Sequence, residues 1–187
     1  MPSAGLVILD RDGVINEDSP DFIRSPDAWR AIPGSLDAIA RLTRSGWRVA
    51  VATNQSGIAR GLFDQATLEA IHLRMLMAVE AAGGRIEVIA HCPHGPHSNC
   101  DCRKPRPGLL HSIAAQLARP IAAAPCVGDS LRDLMAARAA GCQPVLVRTG
   151  RGRETEARLG EIPDTATTIP VFDDLQGFVA DLTGSSS

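Results

Sequence analysis

The aspartates Asp10 and Asp12 follow the apolar run Leu6-Val7-Ile8-Leu9 and are separated by one arginine. Two carboxylates at that spacing can divide a hydrolysis. One attacks and holds the transferred group, while the other protonates the leaving oxygen and later deprotonates water. The pair taken alone also fits a solvated loop, since most aspartates lie at the surface. Three further clusters argue against that reading: Thr53-Asn54-Gln55-Ser56, Arg103-Lys104, and Gly128-Asp129-Ser130 with Asp133. Acids, a hydroxyl and an ammonium form a set suited to phosphoryl transfer, which is catalysed mainly by positioning and electrostatics. Phosphate monoesters hydrolyse so slowly that enzymic accelerations reach about 10²¹-fold, so several groups must converge. Asp10 is the expected nucleophile and Asp12 the expected acid and base; Thr53 and Lys104 are expected to meet the transferring oxygens. Asp10, Asp129 and the backbone carbonyl of Asp12 suit Mg²⁺, which takes oxygen ligands and keeps several waters. Asp133 has three readings: it orients Lys104, completes the acidic cluster, or is an exposed helix carboxylate.

A second set of donors lies in CPHGPHSNCDC, residues 92–102. Cys92-x-His94 and Cys100-x-Cys102 place donors two residues apart, and in extended backbone such pairs face one way. Folded together, they offer Zn²⁺ three thiolates and an imidazole, a closed tetrahedral set with no position for water. The zinc is therefore expected to be structural, bracing the loop directly before Arg103-Lys104. His97 is the alternative to His94, and disulfides are the competing use of the cysteines. Cys126 and Cys142 stand in apolar contexts and read as inert core thiols.

The elements that position these residues follow from periodicity. Short apolar runs at residues 6–9, 47–53, 86–92, 125–128 and 143–150 alternate with helical patterns at 35–46, 64–83, 108–118, 130–141 and 173–182. Ser35 and Asp64 are expected to cap the first two helices. The second helix carries a core stripe of Leu68, Ile71, Met75, Leu76 and Val79, while its His72 has no expected role. Alternating strands and helices imply a parallel sheet covered on both faces, with ligands at the strands' carboxyl ends. The expected fold is α/β: a three-layer sandwich with a mostly parallel, Rossmann-like sheet, a zinc-bound loop and no large cap domain. One domain over residues 1–187 accommodates it. Residues 13–34, with Pro20, Pro26, Pro33 and Gly34, read as an irregular flap beside the site, and residues 184–187 as a frayed tail.

The motifs DRDGVIN, TNQSG, RKPRPG and GDSLRD, in that order, resemble the four motifs of the haloacid dehalogenase superfamily of phosphatases. Within that superfamily, CPHGPHSNCDCRKPRPG together with TNQSGIARG is similar to the heptose bisphosphate phosphatases and the related histidinol-phosphate phosphatases. The resemblance implies a Mg²⁺-dependent phosphomonoesterase working through an aspartyl phosphate on Asp10. It also implies that Asn54, Gln55, Ser56 and Arg60 line the substrate. A substrate with a second phosphate needs additional cations, which Arg103, Arg60 and Arg106 can supply.

Other classes fit less well. A formal net charge of -2 and 3% aromatic residues give little to hold or stack nucleic acid. Cys100-x-Cys102 lacks the two-residue spacing of the usual redox motif. No stretch approaches the length of a membrane span and no leader pattern precedes Asp10, so a cytoplasmic monomer is expected, with a small phosphorylated sugar as its partner and neither nucleic acid nor membrane.

Overall fold

In the computed structural model, which describes residues 5–162 and 168–184, the apolar runs form a parallel sheet. Its strands are β1 (Leu6–Leu9), β2 (Arg48–Asn54), β3 (Val88–Cys92), β4 (Pro125–Gly128), β5 (Gln143–Val147) and β6 (Val171–Phe172). They lie in the order β3-β2-β1-β4-β5-β6, every neighbouring pair parallel. The helices between them are α1 (Ser35–Arg44), α2 (Gln65–Ala81), α3 (Gly108–Gln116), α4 (Leu131–Ala139), α5 (Gly152–Glu156) and α6 (Leu175–Leu182).

Side chains alternate between the two faces of a strand. Val7 and Leu9 of β1, with Val49 and Val51 of β2, enter the core shared with α1, α2 and α6. Leu6, Ile8, Ala50 and Ala52 enter the opposite core, against α3 and α4. Burial on both faces explains why these strands are apolar at nearly every position. Each large aliphatic side chain so buried contributes about 1.5–3 kcal/mol relative to exposure. The expected three-layer α/β architecture is therefore present, and no large cap domain stands among the described residues.

Several local expectations are corrected. α1 is capped by Gly34 at φ 82°, not by Ser35. Ser35 is the first helical residue, and its buried hydroxyl donates to the Val14 carbonyl at 2.8 Å, tying the helix to the flap. Asp64 does cap α2, accepting from the Thr67 N–H at 2.8 Å. Leu76 is only partly buried in the stripe of that helix. The flap is anchored: it contains a 3₁₀ turn at Pro26–Ala28 and buries Val14, Ile15, Ile23 and Trp29. β6 was not expected, because two residues carry no period; its partners on β5 define it. Of the frayed tail, residues 185–187 lie outside the described residues.

The sheet grows outward from β1 in one direction and from β4 in the other, and ligands bind at such a switch point. Asp10 follows β1 and Asp129 follows β4, with the Asp10 N–H donating to the Val127 carbonyl at 2.9 Å. Between them the chain turns at Gly13, whose φ is 82°. A Cβ at this position would lie 2.1 Å from Asp129 Oδ2. Gly13→Ala combines left-handed strain with displacement of that carboxylate, so it should cost ~2 kcal/mol. Thermal unfolding should show Tm lowered by roughly 4–8 °C; an unchanged Tm would contradict the close approach.

Candidate active site

Lys104 is the hub of the crevice. It is 4% exposed, and its ammonium donates to Asp10 Oδ1 at 2.9 Å and to the Ala52 carbonyl at 2.7 Å, with Asp133 Oδ1 at 2.6 Å. Burial disfavours its charge, but Asp10 and Asp133 outweigh that and hold its pKa above the usual lysine value. The loop carrying it is clamped by Asn54. That side chain donates to the Lys104 carbonyl and accepts from the Lys104 N–H, each at 3.1 Å. Asn54 thus lines the cavity and also holds the lysine's backbone.

Asp133 is buried, which removes the exposed-carboxylate reading. Its Oδ2 accepts from the Ser130 N–H at 3.0 Å and the Ser130 hydroxyl at 2.6 Å, closing the first turn of α4. One aspartate therefore fixes both the helix start and the lysine. Burial works against its ionisation, yet Lys104 and Ser130 hold its carboxyl below the usual range.

Asp12 sits in a cage of donors. Arg11 donates to it from Nε and Nη2 at 3.2 and 2.8 Å, Asn16 at 2.9 Å and Gln55 at 2.8 Å. Burial would raise its pKa, but the Arg11 guanidinium and these hydrogen bonds prevail and hold it low. Gln55 also donates to Thr53 Oγ1 at 2.9 Å. Thr53 is 1% exposed, so the structure places it beneath the cavity, outside the lining. Gln55 and Ser56 do line the cavity, as expected.

Asp10, Asp129 and Asp133 each offer an oxygen within 4.8 Å of the others. Burial first, then Asp133, raises the Asp10 carboxyl to about 7, although Lys104 opposes the shift. Burial, Asp133 and Asp10 raise Asp129 to about 8. Crowded buried carboxylates whose ionisation is this unfavourable fit an oxygen-seeking dication, which relieves the same repulsion. With Asp133 committed to Lys104 and Ser130, Asp10 and Asp129 are the side chains left to hold it. Asp129 is itself fixed by the Arg151 N–H at 2.8 Å, and Thr155 donates to its carbonyl at 2.7 Å.

The two prongs of the cysteine loop do converge. Cys92, His94, Cys100 and Cys102 place their donor atoms within 4.8 Å of one another, and His97 is exposed outside this group. All five cysteines are free thiols. Three sulfurs and an imidazole in this arrangement fit a tetrahedral soft-metal site. The loop is braced by Arg106, which donates to the Cys100 carbonyl and to Asn99 Oδ1, the latter at 3.1 Å.

The cavity above the carboxylates has a volume of about 290 Å³. Arg60 and Arg103 line it, as expected; so do Ser19, Pro20 and Phe22 of the flap, with Ser130, Arg132 and Arg151. Of these, Pro20 stood in the expected flap, Ser130 in the cluster after β4 and Arg132 in the GDSLRD motif, while Ser19, Phe22 and Arg151 were not singled out. The proline-rich irregularity of the flap was the only signal for Ser19 and Phe22, and Arg151 lies outside every motif read from the sequence.

A crevice at the switch point of a parallel sheet, with an Asp-x-Asp pair after β1, a buried lysine and two acids around β4–α4, defines a haloacid dehalogenase-like hydrolase. Residues 101–177 match the Hydrolase_like (HAD-hydrolase-like) family model. The chain is 58% identical over 159 residues to D-glycero-beta-D-manno-heptose-1,7-bisphosphate 7-phosphatase of Bordetella bronchiseptica, covering 85% of this chain and 88% of that one. It is 54% identical over 173 residues to the protein of that name from Pseudomonas aeruginosa, covering 92% and 94%. A crystal structure of D,D-heptose 1,7-bisphosphate phosphatase from B. bronchiseptica, complexed with magnesium and phosphate, superposes with a TM-score of 0.91 at 53% identity, covering 97% of this chain and 99% of that one. The chain belongs to this family of phosphoric monoester hydrolases.

The acidic cluster generates a pH-dependent prediction. The folded-state pKa values of Asp10 and Asp129, raised to about 7 and about 8, mean that the folded chain binds more protons than the unfolded chain between roughly pH 4 and 8. Without divalent cation, stability should therefore fall as pH rises through that window. Asp12 and Asp133, whose pKa values are lowered, act oppositely only below about pH 4. Added Mg²⁺ should raise Tm more at pH 8 than at pH 6, because protons compete for the same oxygens. Scanning calorimetry in chelator and in Mg²⁺ checks this; equal gains at both pH values would contradict it.

Proposed function

We propose that the chain, acting as a single domain, removes the C7 phosphate of D-glycero-D-manno-heptose 1,7-bisphosphate through an aspartyl phosphate on Asp10. The convergence of Asp10, Lys104 and Asp129 at the switch point carries this reading, and the substrate follows from the relatives' specificity.

Asp10 Oδ1 is engaged by Lys104 and by the Arg11 N–H at 2.8 Å, while Oδ2 takes no hydrogen bond from the described residues. An Asp10 carboxylate oxygen attacks phosphorus, the bond from phosphorus to the sugar oxygen breaks, and Asp12 gives that oxygen its proton. Water then attacks the phosphorus, Asp12 accepts its proton, and the bond to Asp10 breaks to release inorganic phosphate. In the substrate-free arrangement Asp12 is ionised, the form needed for the second half. A phosphate dianion arriving beside it raises its proton affinity, so its acid form belongs to the substrate complex. Lys104 balances charge on the transferring oxygens, and Thr53 acts through Gln55, which keeps Asp12 aimed at the cavity.

The neighbour from B. bronchiseptica holds magnesium with phosphate; here Asp10, Asp129 and the backbone carbonyl of Asp12 would hold it. When bound, it supplies positive charge to the phosphoryl oxygens. Zinc at Cys92, His94, Cys100 and Cys102 would be structural, keeping Arg103 and Lys104 over the crevice. Arg103, anchored by donating from Nη1 to the His94 carbonyl at 3.1 Å, reads the phosphate that is not cleaved; Asn54, Ser56 and Arg60 border the sugar.

Turnover should be fastest on the heptose bisphosphate, with histidinol phosphate far slower, and Asp10→Asn should abolish it while the fold survives. Phosphate-release assays decide this: faster release from histidinol phosphate would overturn the substrate, and near-wild-type activity in Asp10→Asn would overturn covalent catalysis. Metal analysis should give one zinc per chain. Its removal should expose Cys100 and Cys102 to alkylation and loosen residues 91–104, since structural zinc contributes on the order of 10 kcal/mol of apparent binding energy in small domains. Zinc-free protein with full stability would remove this role.

A further inference from the structure

His72 takes no part in the reaction described above, yet α2 buries it together with Leu68, Ile71, Met75 and Val79. Buried polar atoms are nearly always hydrogen-bonded, and one that is not calls for a physical explanation. Four buried side-chain atoms have no hydrogen-bond partner among the described residues: Arg11 Nη1, Asn16 Oδ1, Trp29 Nε1 and His72 Nε2. Two of them belong to residues that hold Asp12 directly, since Arg11 Nη2 and Asn16 Nδ2 donate to its Oδ1 at 2.8 and 2.9 Å.

His72 lies close behind that cage, where the charges of both Arg11 and Asp12 act on its ring. Burial first, then Arg11 and His91, outweigh Asp12 and lower its pKa to about 3, so the imidazole is neutral. A neutral imidazole has one ring nitrogen that accepts, whereas a guanidinium can only donate. His72 Nε2 and Arg11 Nη1 are therefore complementary. The far side of the ring is braced by His91, edge-on with centroids 5.9 Å apart. Gln65 in turn holds His91: its amide oxygen, 3.2 Å from His91 Nε2, can only accept, while its amide nitrogen donates to Glu69 at 3.0 Å.

Arg11 grips Asp12 by one edge. Nε and Nη2 donate to Oδ1, and Nη2 also reaches Oδ2 at 3.1 Å. Nη1 is the corner of the planar group that this edge leaves out, so a contact there fixes the plane of the guanidinium and with it the direction of the carboxylate. We propose that His72 is a positioning residue for Asp12: its Nε2 engages Arg11 Nη1, directly or across one internal water bonded to both, and so locks the guanidinium that aims Asp12 at the leaving oxygen. This inference rests on the reading of Asp12 as acid and base. Proton donation matters most when the leaving oxygen is that of an alcohol, which departs poorly as an alkoxide, and least for a nitrophenolate, which departs without a proton. A misaimed Asp12 therefore slows phosphoryl transfer from a sugar phosphate and spares transfer from an aryl phosphate.

The test is the ratio of kcat/KM for the heptose 1,7-bisphosphate to kcat/KM for p-nitrophenyl phosphate, measured with Mg²⁺ on one preparation of each variant. Such a ratio does not depend on how much of a variant folds. His72→Phe keeps the ring without an acceptor and His72→Leu removes both; each should lower the ratio about 10-fold, through kcat for the sugar phosphate. His72→Gln, whose amide can place an acceptor where Nε2 stood, should keep it within about 2-fold of the unsubstituted enzyme. Asp12→Asn should lower the ratio further. An unchanged ratio in His72→Phe and His72→Leu, beside a lowered one in Asp12→Asn, would overturn this inference alone. A loss in His72→Gln equal to that in His72→Phe would overturn it in favour of ring packing. An unchanged ratio in Asp12→Asn would overturn the acid role of Asp12 and this inference with it.

Discussion

A buried ammonium must be paired or it destabilises the fold by several kcal/mol. At Lys104 that constraint organises the whole crevice. Its three N–H donors are used by Asp10 after β1, the Ala52 carbonyl in β2, and Asp133 in α4. Four segments distant in sequence meet at one nitrogen, and each is also held from its own side. Asn54 clamps the lysine's backbone, Ser130 locks Asp133, and the sheet ladder fixes Asp10. The charge balance is as restrictive as the geometry. Without the ammonium, Asp10, Asp129 and Asp133 would be three crowded carboxylates with little to oppose their repulsion.

The second charged pair solves a different problem. Arg11 is 1% exposed, and its ionised partner is Asp12. Its Nη1 and the Nε2 of His72 are buried without hydrogen-bond partners among the described residues. His72 therefore does not compete for the guanidinium's charge: burial, followed by the charge of Arg11, lowers its pKa to about 3 and keeps it neutral. The result is an arginine directed at one carboxylate, with Asn16 and Gln55 completing the cage. Asp10 and Asp12 are two residues apart in the chain but stand in opposite electrostatic surroundings. One carboxyl is pushed up by burial and then by its acidic neighbours, and the other is held down, against its burial, by a cation. Such divergence is what separates the roles of two like groups in one site.

The loops translate this arrangement into a substrate cavity. The cysteine cluster closes its loop immediately before Arg103, and Arg106 staples the same loop from within. Opposite it, the flap is pinned by Val14, Ile15, Ile23 and Trp29 in the core, leaving Ser19, Pro20 and Phe22 to border the cavity. Rigid placement of both walls reduces the freedom lost when a flexible sugar is bound.

The local sequence determined what short-range periodicity and donor chemistry encode. β1, β2, β4, the cap at Asp64, the Asp10-Asp12 pair and the three cysteines of the Cys/His cluster were legible because each is defined within a few residues. It favoured His94 and kept His97 as the alternative, because the choice depends on how two prongs fold against each other. It could not place Ser35, whose hydroxyl answers a carbonyl on the flap, or recognise β6, whose two residues are a strand only beside β5. Asp133 had three readings that its contact with Lys104 at 2.6 Å resolves, and Thr53, expected at the transferring oxygens, is buried with its hydroxyl accepting from Gln55. Arg132 stands in the GDSLRD motif, which by itself gave it no role. It lines a cavity built from distant segments and has no carboxylate partner among the described residues; only tertiary packing decides which charges are neutralised and which are left facing a substrate.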